Sequence, residues 1–586
     1  MRAAQARNLD RIAVAYAVAG WILVQGASIV LPAFDAPIWT LRAFIVAVVM
    51  GFPATLGIAW FAVSPAVVAH APAGLVSHRE LVLLALLGVV LLLSVSEALF
   101  LRVPVPAVPA PRHATPIEAS IAVLPFVNMS GDAHKEYFSD GISEELLNDL
   151  SNVPGLRVAA RTSSFAFKNR TVDIKTIAHL LGVRAVLEGS VRESVNRIRI
   201  TAQLINATDG FHLWSSVYDR NLTDILVVQD DIARAITTTL QARLVPVANG
   251  TPIRIDPQDY RDYLAAKHFN ALKTRGGITR AVALLEKVTS REPGFADAFA
   301  ALASAYLDVD WIVSDEAAFR EKAAAASATA LRLDPGNAFA LYLRSRMHDD
   351  DSNWRAAADD LRRLKAASPN SSIMAKALSS YYNDLGFFPE AAAEAKKGAE
   401  LDPLSNNAQV WLGYLLARAG ETDAAIAAWK AALALQPWQD IALYGLCDGY
   451  AYAHRLPEAR AIAEDLRRMA PIDDLRECQA EIDIAAEDFA SARKNIDAMA
   501  SEASRGQLGA AEKALAYIQI GDYDTALKWS RRAYAAKEVV DLASLPYDAT
   551  LPKPFFDTAG WKALATKPEL RAWRAEHDRI AAQHPK

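Results

Sequence analysis

Three long apolar stretches dominate the N-terminal part of this chain. The runs at 12–34 and 43–65 contain no charged residue, and the run at 81–101 contains a single one, Glu97. Each run holds about 20 residues or more, which is enough to cross a bilayer as an α-helix rising about 1.5 Å per residue. The pattern therefore predicts three transmembrane α-helices within an N-terminal region at 1–103.

Basic residues before the first run and prolines after the third run extend this prediction. Arg2, Arg7 and Arg11 precede the first run, and the positive-inside rule then keeps the N-terminus in the cytoplasm. Three crossings would place the remainder of the chain on the opposite side of the membrane. Residues 102–116 read RVPVPAVPAPRHATP, a proline-rich composition that favours extended chain and predicts a stalk.

The pattern then changes to short strands and amphipathic helices. SIAVLPFV, from Ser120, is an apolar run with β-branched residues and predicts a buried strand. The spacing of apolar residues in GISEELLNDL and TVDIKTIAHLL predicts two helices. RAVLEGSVRE and RIRITAQL alternate between apolar and polar residues, which predicts a β-hairpin with one buried face. Residues 117–246 are therefore expected to form a small α/β domain.

Several runs in this domain follow one another in a recognisable order: VLPFVNMSGD, ISEELLNDL, RTSSFAFK, LGVRAVLEGSVR and RITAQLINATDGFHLWSSVYDR. They resemble the TolB amino-terminal-like domain of bacterial envelope proteins. The resemblance implies neighbouring tetratricopeptide repeats and kinship with membrane-bound winged-helix regulators and adenylate/guanylate cyclase proteins. Only eleven residues precede the first apolar run, so we expect neither a winged-helix nor a cyclase domain and carry neither activity over.

A set of prolines identifies the next part of the chain by its fixed spacing. The residues that recur every 34 positions are Pro335, Pro369, Pro403, Pro437 and Pro471. This period is typical of the tetratricopeptide repeat, a pair of antiparallel helices whose second helix ends near the proline. We count about eight repeats over 260–538 and expect 539–586 to cap the array, because a solenoid needs a capped end.

The first helices of such repeats line a long groove, which is the candidate binding surface. Projecting repeat positions into this groove selects aromatic, charged and polar side chains that suit an extended peptide. The selected residues are Phe339, Tyr342, Arg346, Lys376, Asn383, Tyr414, Arg418, Tyr444, Asp448 and Tyr452. Lys376, Asn383 and Arg418 loosely resemble the carboxylate clamp of chaperone-binding tetratricopeptide domains. Ordinary solvated or packing positions are the alternative interpretation of the whole set.

Composition and motifs exclude several classes of protein. A net charge of −5, from 62 basic and 67 acidic residues, disfavours a basic nucleic-acid binder. The two cysteines, Cys447 and Cys478, are too few for a disulfide-rich scaffold or a multi-cysteine zinc fold. Outside the cytoplasm they could pair, although a small buried side chain also explains Cys447. Arg161, Ser163 and Ser164 follow a strand but lack the glycine-rich cradle of a phosphate loop, so we expect turn capping there.

We find no nucleophile, acid/base or metal-ligand motif, and the sequence therefore predicts no catalytic residue, no cofactor and no metal site. The predicted fold class is multidomain, with three transmembrane α-helices, a small α/β domain and an all-α tetratricopeptide superhelix.

The predicted function is that of a membrane-anchored interaction scaffold or envelope sensor without catalytic activity. We expect it in a bacterial inner membrane, with the C-terminal domains in the periplasm. Expected partners are envelope or membrane proteins through the groove and the lipid bilayer through the three helices. No nucleic acid is expected, and an oligomer is possible. The alternatives are a small-ligand receptor acting through the α/β domain or the groove, and a relative of membrane adenylate cyclases without its catalytic domain.

Overall fold

The computed structural model describes residues 119–194, 196–240, 254–310, 316–437, 439–469, 472–501 and 509–582. All of them belong to one compact unit, residues 106–586. The three predicted transmembrane runs and the predicted stalk lie outside the described residues.

The predicted fold class requires a correction. None of the helices in the described ranges is long and apolar enough to cross a membrane. The longest has 18 residues, fewer than the about 20 that a span needs, and five of them are charged. The observed fold class is a small α/β region followed by a long all-helical superhelix. The prediction of a fold with three transmembrane helices is therefore wrong for the part of the chain that the structure describes.

The α/β region is built on one mixed sheet. Its strands are β1 (Ser120–Val123), β2 (Val127–Asn128), β3 (Arg157–Val158), β4 (Ala185–Glu193), β5 (Arg197–Asn206) and β6 (His212–Asn221). The strand order is β3-β1-β4-β5-β6, and β2 pairs with β4 further along the same edge as β1. Strands β1, β3 and β4 are parallel, whereas β4, β5 and β6 form an antiparallel meander. The alternating runs thus form the predicted hairpin, β4 with β5.

Helices cover the two faces of this sheet unequally. They are α1 (Glu136–Ser151), α2 (Arg161–Phe165), α3 (Ile174–Leu181) and α4 (Ile225–Thr239). Apolar residues of α1 and α4, such as Ile142 and Ile232, share one core with Ile200 on β5. On the opposite face, α3 packs through Ile177 against Val186, at the start of β4. The helices therefore leave that second face uncovered along the outer strands.

The next sixteen helices form eight consecutive pairs in the described residues. The pairs are α5 (Pro257–Ala271) and α6 (Arg275–Arg291), α7 (Ala296–Asp310) and α8 (Glu316–Leu333), α9 (Ala338–Asp350) and α10 (Trp354–Ala367), α11 (Ser372–Asp384) and α12 (Phe388–Leu401), α13 (Asn406–Arg418) and α14 (Thr422–Leu435), α15 (Asp440–Tyr452) and α16 (Leu456–Met469), α17 (Ile472–Ala485) and α18 (Phe489–Ser501), and α19 (Ala510–Gln519) and α20 (Tyr523–Ala535). This arrangement confirms the tetratricopeptide-like superhelix.

A periodic cap starts the first helices of the regular pairs. Asn337, Ser371, Ser405 and Gln439 each accept, through the side chain, the backbone N–H three residues later. Such caps satisfy N–H groups that the first helical turn leaves without a partner. Each cap lies two residues after a proline of the 34-residue series, so one short motif ends one repeat and starts the next.

Two covalent or steric features fix the later pairs. Cys447 on α15 and Cys478 on α17 form a disulfide with a Cα–Cα distance of 5.7 Å, and both are fully buried. Trp429 on α14 fills a notch between Gly413 and Gly445. A Cβ atom on either glycine would lie within 2.5 Å of the indole ring. Both positions therefore require glycine.

The α/β region docks first against α5. Lys267 contacts Glu145 at 2.5 Å, and Arg261 contacts Glu193 at 2.5 Å. Glycine at position 141 on α1 allows the close approach of the two helices, since a Cβ there would lie 2.8 Å from the Leu264 side chain.

A second contact lies further along the superhelix. The Ala160 N–H donates to the Leu401 carbonyl oxygen at 2.8 Å. The Ser163 hydroxyl donates to the Asp402 carboxylate at 2.6 Å and accepts the Leu404 N–H at 2.9 Å. The α/β region is therefore fixed to the first helix pair and to the turn that ends the fourth pair.

The C-terminal region consists of α21 (Val539–Ser544), α22 (Ala559–Leu564) and α23 (Pro568–Ala581), joined by turns. Helix α21 contacts α20 of the last pair, and it also contacts α19 and α11. The region thus covers the last pair and reaches back to the fourth pair.

Candidate functional site

The predicted groove residues all lie on four successive first helices, α9, α11, α13 and α15. Helix α9 contacts α11, and α13 contacts α15. Side-chain hydrogen bonds from Trp411 to Ser379 and from Arg418 to Asn383 join α13 to α11. The side chains of the four helices therefore share one surface, which we call the first-helix face. Phe339, Tyr342 and Arg346 lie on α9, Lys376 and Asn383 on α11, Tyr414 and Arg418 on α13, and Tyr444, Asp448 and Tyr452 on α15.

An aromatic cluster occupies the α9 end of the first-helix face. The rings of Phe339 and Tyr342 are stacked, with centroids 6.4 Å apart. The Lys376 ammonium lies 5.8 Å from the centroid of the Tyr342 ring, within range of a cation–π interaction. Arg346 pairs with Asp350 on its own helix at 3.5 Å. This end of the face presents aromatic surface and positive charge together.

Arg418 is the centre of the face. Its Nη1 donates to the Asn383 side-chain oxygen at 2.9 Å and to the Tyr414 hydroxyl at 3.1 Å. The guanidinium carbon lies 4.0 Å from the centroid of the Phe388 ring. These contacts hold a largely buried guanidinium in a fixed orientation, as recognition of a carboxylate requires.

That carboxylate comes from the same chain. Arg418 Nε donates to the Asp548 carboxylate at 2.9 Å. The backbone next to it is held as well: the Ala549 N–H donates to the Arg418 carbonyl oxygen at 3.2 Å, and the Tyr452 hydroxyl donates to the Ala549 carbonyl oxygen at 3.4 Å. We call residues 544–551 the C-terminal loop. The first-helix face therefore already binds a polypeptide segment through one carboxylate and two backbone groups.

Helix α23 adds contacts that the sequence analysis missed. Trp573 Nε1 donates to the Asp384 carbonyl oxygen at 2.9 Å, and His577 Nδ1 lies 2.7 Å from the Leu385 carbonyl oxygen. The His577 ring stacks on Phe387 with centroids 4.3 Å apart. These carbonyl groups lie at the end of α11, where a helix leaves acceptors without internal partners.

Buried acids surround this contact. Burial and the neighbouring Asp384 carboxylate raise the pKa of Asp349 to about 9. Burial, together with the Asp548 carboxylate, raises the pKa of Asp448 to about 6. Tyr444 donates to Glu477 at 2.9 Å, and burial raises the pKa of its phenol. The face therefore combines the fixed Arg418 guanidinium with carboxyl groups whose pKa values are raised above the usual range.

The residues considered for an anion site have structural roles instead. Ser163 binds Asp402, and Arg161 pairs with Glu144 at 2.5 Å. Ser164 is buried in the five-residue helix α2. No group of three or more His, Cys, Asp or Glu side chains in the described ranges could hold a metal ion.

The contact with the C-terminal loop has no signal in the sequence pattern. Arg418 and Asp548 are 130 residues apart, and Trp573 and Asp384 are 189 apart. The proline series places Arg418 on a first helix but does not extend to the segment SLPYDATLPKP that contains Asp548.

Comparison with known proteins gives a partial match. No protein-family model matches the chain. A stretch of 199 residues is 46% identical to "Putative adenylate cyclase 3" of Rhizobium meliloti strain 1021, and it covers 33% of this chain and 33% of that protein. The chain thus spans about a third of the length of the curated relative it matches.

Solved structures of repeat proteins also match. The human IFIT1 dimer with m7Gppp-AAAA is 16% identical with a TM-score of 0.36, covering 61% of this chain and 78% of that one. PilF of Pseudomonas aeruginosa is 18% identical with a TM-score of 0.32, covering 38% and 99%. YrrB, described as a TPR protein with an unusual peptide-binding site, is 19% identical with a TM-score of 0.27, covering 35% and 97%.

Proposed function

We propose that residues 119–582 form a protein-interaction scaffold without catalytic activity, which binds extended polypeptide segments on the first-helix face. One observation carries the proposal: this face already binds the C-terminal loop through Arg418 and through both backbone groups of Ala549. Contacts to backbone N–H and C=O groups suit any extended chain, and the guanidinium adds a preference for a carboxylate.

Part of the face is free to meet a partner. Phe339, Tyr414 and Tyr452 expose 37%, 42% and 46% of their surface. Exposed aromatic side chains next to fixed charge are typical of the centres of protein interfaces. We infer that a partner lies across these three rings, next to the C-terminal loop.

Site-specific photocrosslinking in the cells that make the protein tests this proposal. The photoreactive phenylalanine analogue p-benzoylphenylalanine replaces Phe339, Tyr414 or Tyr452 in separate full-length variants, which exchanges one aromatic ring for another. We expect each variant to crosslink to the same external protein, and mass spectrometry to locate the crosslinks in one extended segment of it.

Phe489 provides the matched control, because it is an aromatic residue of similar exposure, 48%, on the second helix α18. The analogue at this position should give no crosslink to that protein. Crosslinks of equal yield from Phe489, or none beyond the C-terminal loop from the three face positions, would contradict the proposed function.

We also propose that this part of the chain works in an oxidising compartment, such as the bacterial periplasm. The support is the buried disulfide between Cys447 and Cys478, since such bonds persist outside the cytoplasm and are rare inside it. To test this, cells are lysed in denaturant, and the unfolded chain is treated with a thiol-reactive maleimide. We expect labelling only after prior reduction; labelling of both cysteines without reduction would refute the assignment.

The resemblance to TolB amino-terminal-like domains belongs to the same proposal. The runs that carry it fall on β1, α1, α2, β4, β5 and β6 of one sheet domain. The name of the Rhizobium protein raises cyclase activity as the competing function. Formation of cyclic AMP from ATP by the purified chain would contradict a scaffold without catalytic activity.

A further inference from the structure

The C-terminal loop covers the centre of the first-helix face. Asp548 accepts Arg418 Nε at 2.9 Å, and Arg418 Nη2 donates to the Ser544 hydroxyl at 3.3 Å. The side chains of Arg418 and Asp548 are only 14% and 4% exposed. The loop therefore occupies the guanidinium that the carboxylate of a partner would need.

Contacts within the C-terminal region fix the shape of this loop. Asp548 Oδ1 accepts the Thr550 N–H at 2.9 Å and the Thr550 hydroxyl at 2.6 Å. The Lys553 ammonium donates to the carbonyl oxygens of Pro546 and Asp548, at 3.0 and 2.7 Å. None of these four bonds involves a first helix. The loop can therefore leave the face without losing its conformation, which keeps the entropic cost of leaving and returning low.

The attachment of the loop to the face is local, and a like charge opposes it. The loop is bound to α13 and α15 by the side chain of Arg418 and by the two backbone groups of Ala549. Burial, and next the Asp548 carboxylate, raise the pKa of Asp448 on α15 to about 6. Glu481 on α17 is a further acidic group beside Asp448. A segment held in this way opens locally at a lower free energy than the packed helices.

We propose that the C-terminal loop is an autoinhibitory element, which competes with the partner for Arg418. This role rests on the proposed function, because it takes the first-helix face as the site of the partner. Two tyrosines connect the loop with that site: the Tyr414 hydroxyl accepts from Arg418, and the Tyr452 hydroxyl donates to the Ala549 carbonyl oxygen. Both rings are exposed, so a partner that lies across them meets the loop directly.

The burial of Arg418 determines how the loop is exchanged for the partner. A buried guanidinium that loses its carboxylate is strongly destabilising, so the loop leaves the face when the partner supplies a carboxylate in its place. The partner segment therefore carries a carboxylate opposite Arg418. Without such a segment, the loop keeps the guanidinium paired and the centre of the face occupied.

Photocrosslinking from position 339 tests the competition, because Phe339 lies on α9 whereas the loop binds α13 and α15. The full-length chain carries p-benzoylphenylalanine in place of Phe339 together with Asp548→Asn, which removes the charge that binds Arg418. The yield of the crosslink to the external protein should rise about tenfold below saturation, because a charge-assisted hydrogen bond contributes about that factor to the binding of the loop. Asp557→Asn is the matched control, because Asp557 is an exposed aspartate of the same C-terminal region that pairs with Lys562; it should leave the yield unchanged.

A covalent lock tests the same competition in the opposite direction. A Cβ atom at Gly420 would lie 3.3 Å from the Ala549 Cβ atom, close to the separation of about 3.8 Å in a disulfide. Gly420→Cys combined with Ala549→Cys should therefore fix the loop to the face on oxidation, and the crosslink from position 339 should be lost. Gly420→Cys alone is the control for the positive φ of Gly420 and should retain the crosslink. The locked chain keeps Asp548, so its result stands even where Asp548→Asn lowers the stability of the fold.

The two variants distinguish failure of the autoinhibition from failure of the proposed function. A crosslink whose yield changes neither with Asp548→Asn nor with the lock would overturn the autoinhibition and leave the scaffold function standing. The absence of a crosslink to an external protein in every one of these variants would overturn both.

Discussion

Asp349 is a buried carboxyl group that forms no ion pair within the described part of the chain. One of its oxygens, Oδ1, has no hydrogen-bond partner, and Asp384 is the neighbouring charge that opposes its ionisation most strongly. Arg346, Asp350 and Asp384 are the charged groups that act on it. The folded state therefore holds a proton on this side chain at a pH where the unfolded chain has released it.

This proton predicts a pH-dependent stability. The pKa of Asp349 is raised from 3.8 to about 9 in the folded state, so its stabilising contribution is present at low pH and is lost as the pH rises through this interval. Asp349→Asn removes the ionisation. The variant should gain stability relative to wild type by up to about 1.4 kcal/mol per pH unit. Thermal unfolding midpoints at pH 5, 7 and 9 measure this.

Asp557→Asn is the control for this prediction, because Asp557 is an exposed carboxylate that pairs with Lys562 at 3.3 Å and is not one of the charges that act on Asp349. The pH dependence of the midpoint in Asp557→Asn should match that of wild type. The assignment to Asp349 fails if both variants show the same pH dependence.

Gly445 illustrates a position where one methyl group matters. A Cβ atom there would lie 2.4 Å from the Trp429 ring, whereas a Cβ at Gly276 would meet nothing within 4 Å. Overpacking of a rigid ring costs about 1 to 3 kcal/mol. Gly445→Ala should therefore lower the unfolding midpoint in a thermal melt, and Gly276→Ala should leave it unchanged or raise it slightly. Equal midpoints for the two variants would contradict the packing argument.

At the scale of elements, the helix pairs could be predicted because their signals are local. A proline and a capping residue two positions later mark the four junctions from Pro335 to Pro437, and both signals repeat every 34 residues. The ten groove residues fall on first helices for the same reason. The position of α21 and of the C-terminal loop could not be predicted, because no periodicity connects Asp548 to Arg418 across 130 residues.

The disulfide joins two first helices across the whole of α16. It closes a loop of 31 residues, and the chain-entropy estimate for a loop of this length is about 3 to 4 kcal/mol. Reduction should lower the unfolding midpoint of the wild type, and the double variant Cys447→Ser, Cys478→Ser should show the lower midpoint without reductant. Adding reductant to the double variant is the control and should change nothing.

At the scale of the whole described unit, Ser163 links the α/β region to the fourth helix pair. Its hydroxyl is fully buried, and it donates to Asp402 and accepts from Leu404 N–H. Ser163→Ala removes the hydroxyl that binds the Asp402 carboxylate and the Leu404 N–H. Leaving a buried polar group without its hydrogen bond lowers the free energy of unfolding by about 1 to 3 kcal/mol. We expect faster hydrogen exchange at Leu404, measured by exchange mass spectrometry. We also expect a lower unfolding temperature, measured in a thermal melt.

Ser215→Ala is the control, because Ser215 lies on the exposed side of β6. It should leave exchange at Leu404 unchanged. Unaltered exchange in Ser163→Ala would show that the two parts are held together by other contacts.

The double attachment of the α/β region also has a mechanical consequence. A solenoid whose units contact only their neighbours can lengthen or shorten easily, because small rotations between successive units add up to a change of the superhelical pitch. Here the α/β region binds both the first helix of the array, α5, and the turn after α12. The pitch of the first four pairs is therefore fixed, and the C-terminal region, which contacts α11 as well as α19 and α20, restrains the later pairs in the same way. A tension applied along the chain would have to break these long-range contacts before the superhelix could lengthen.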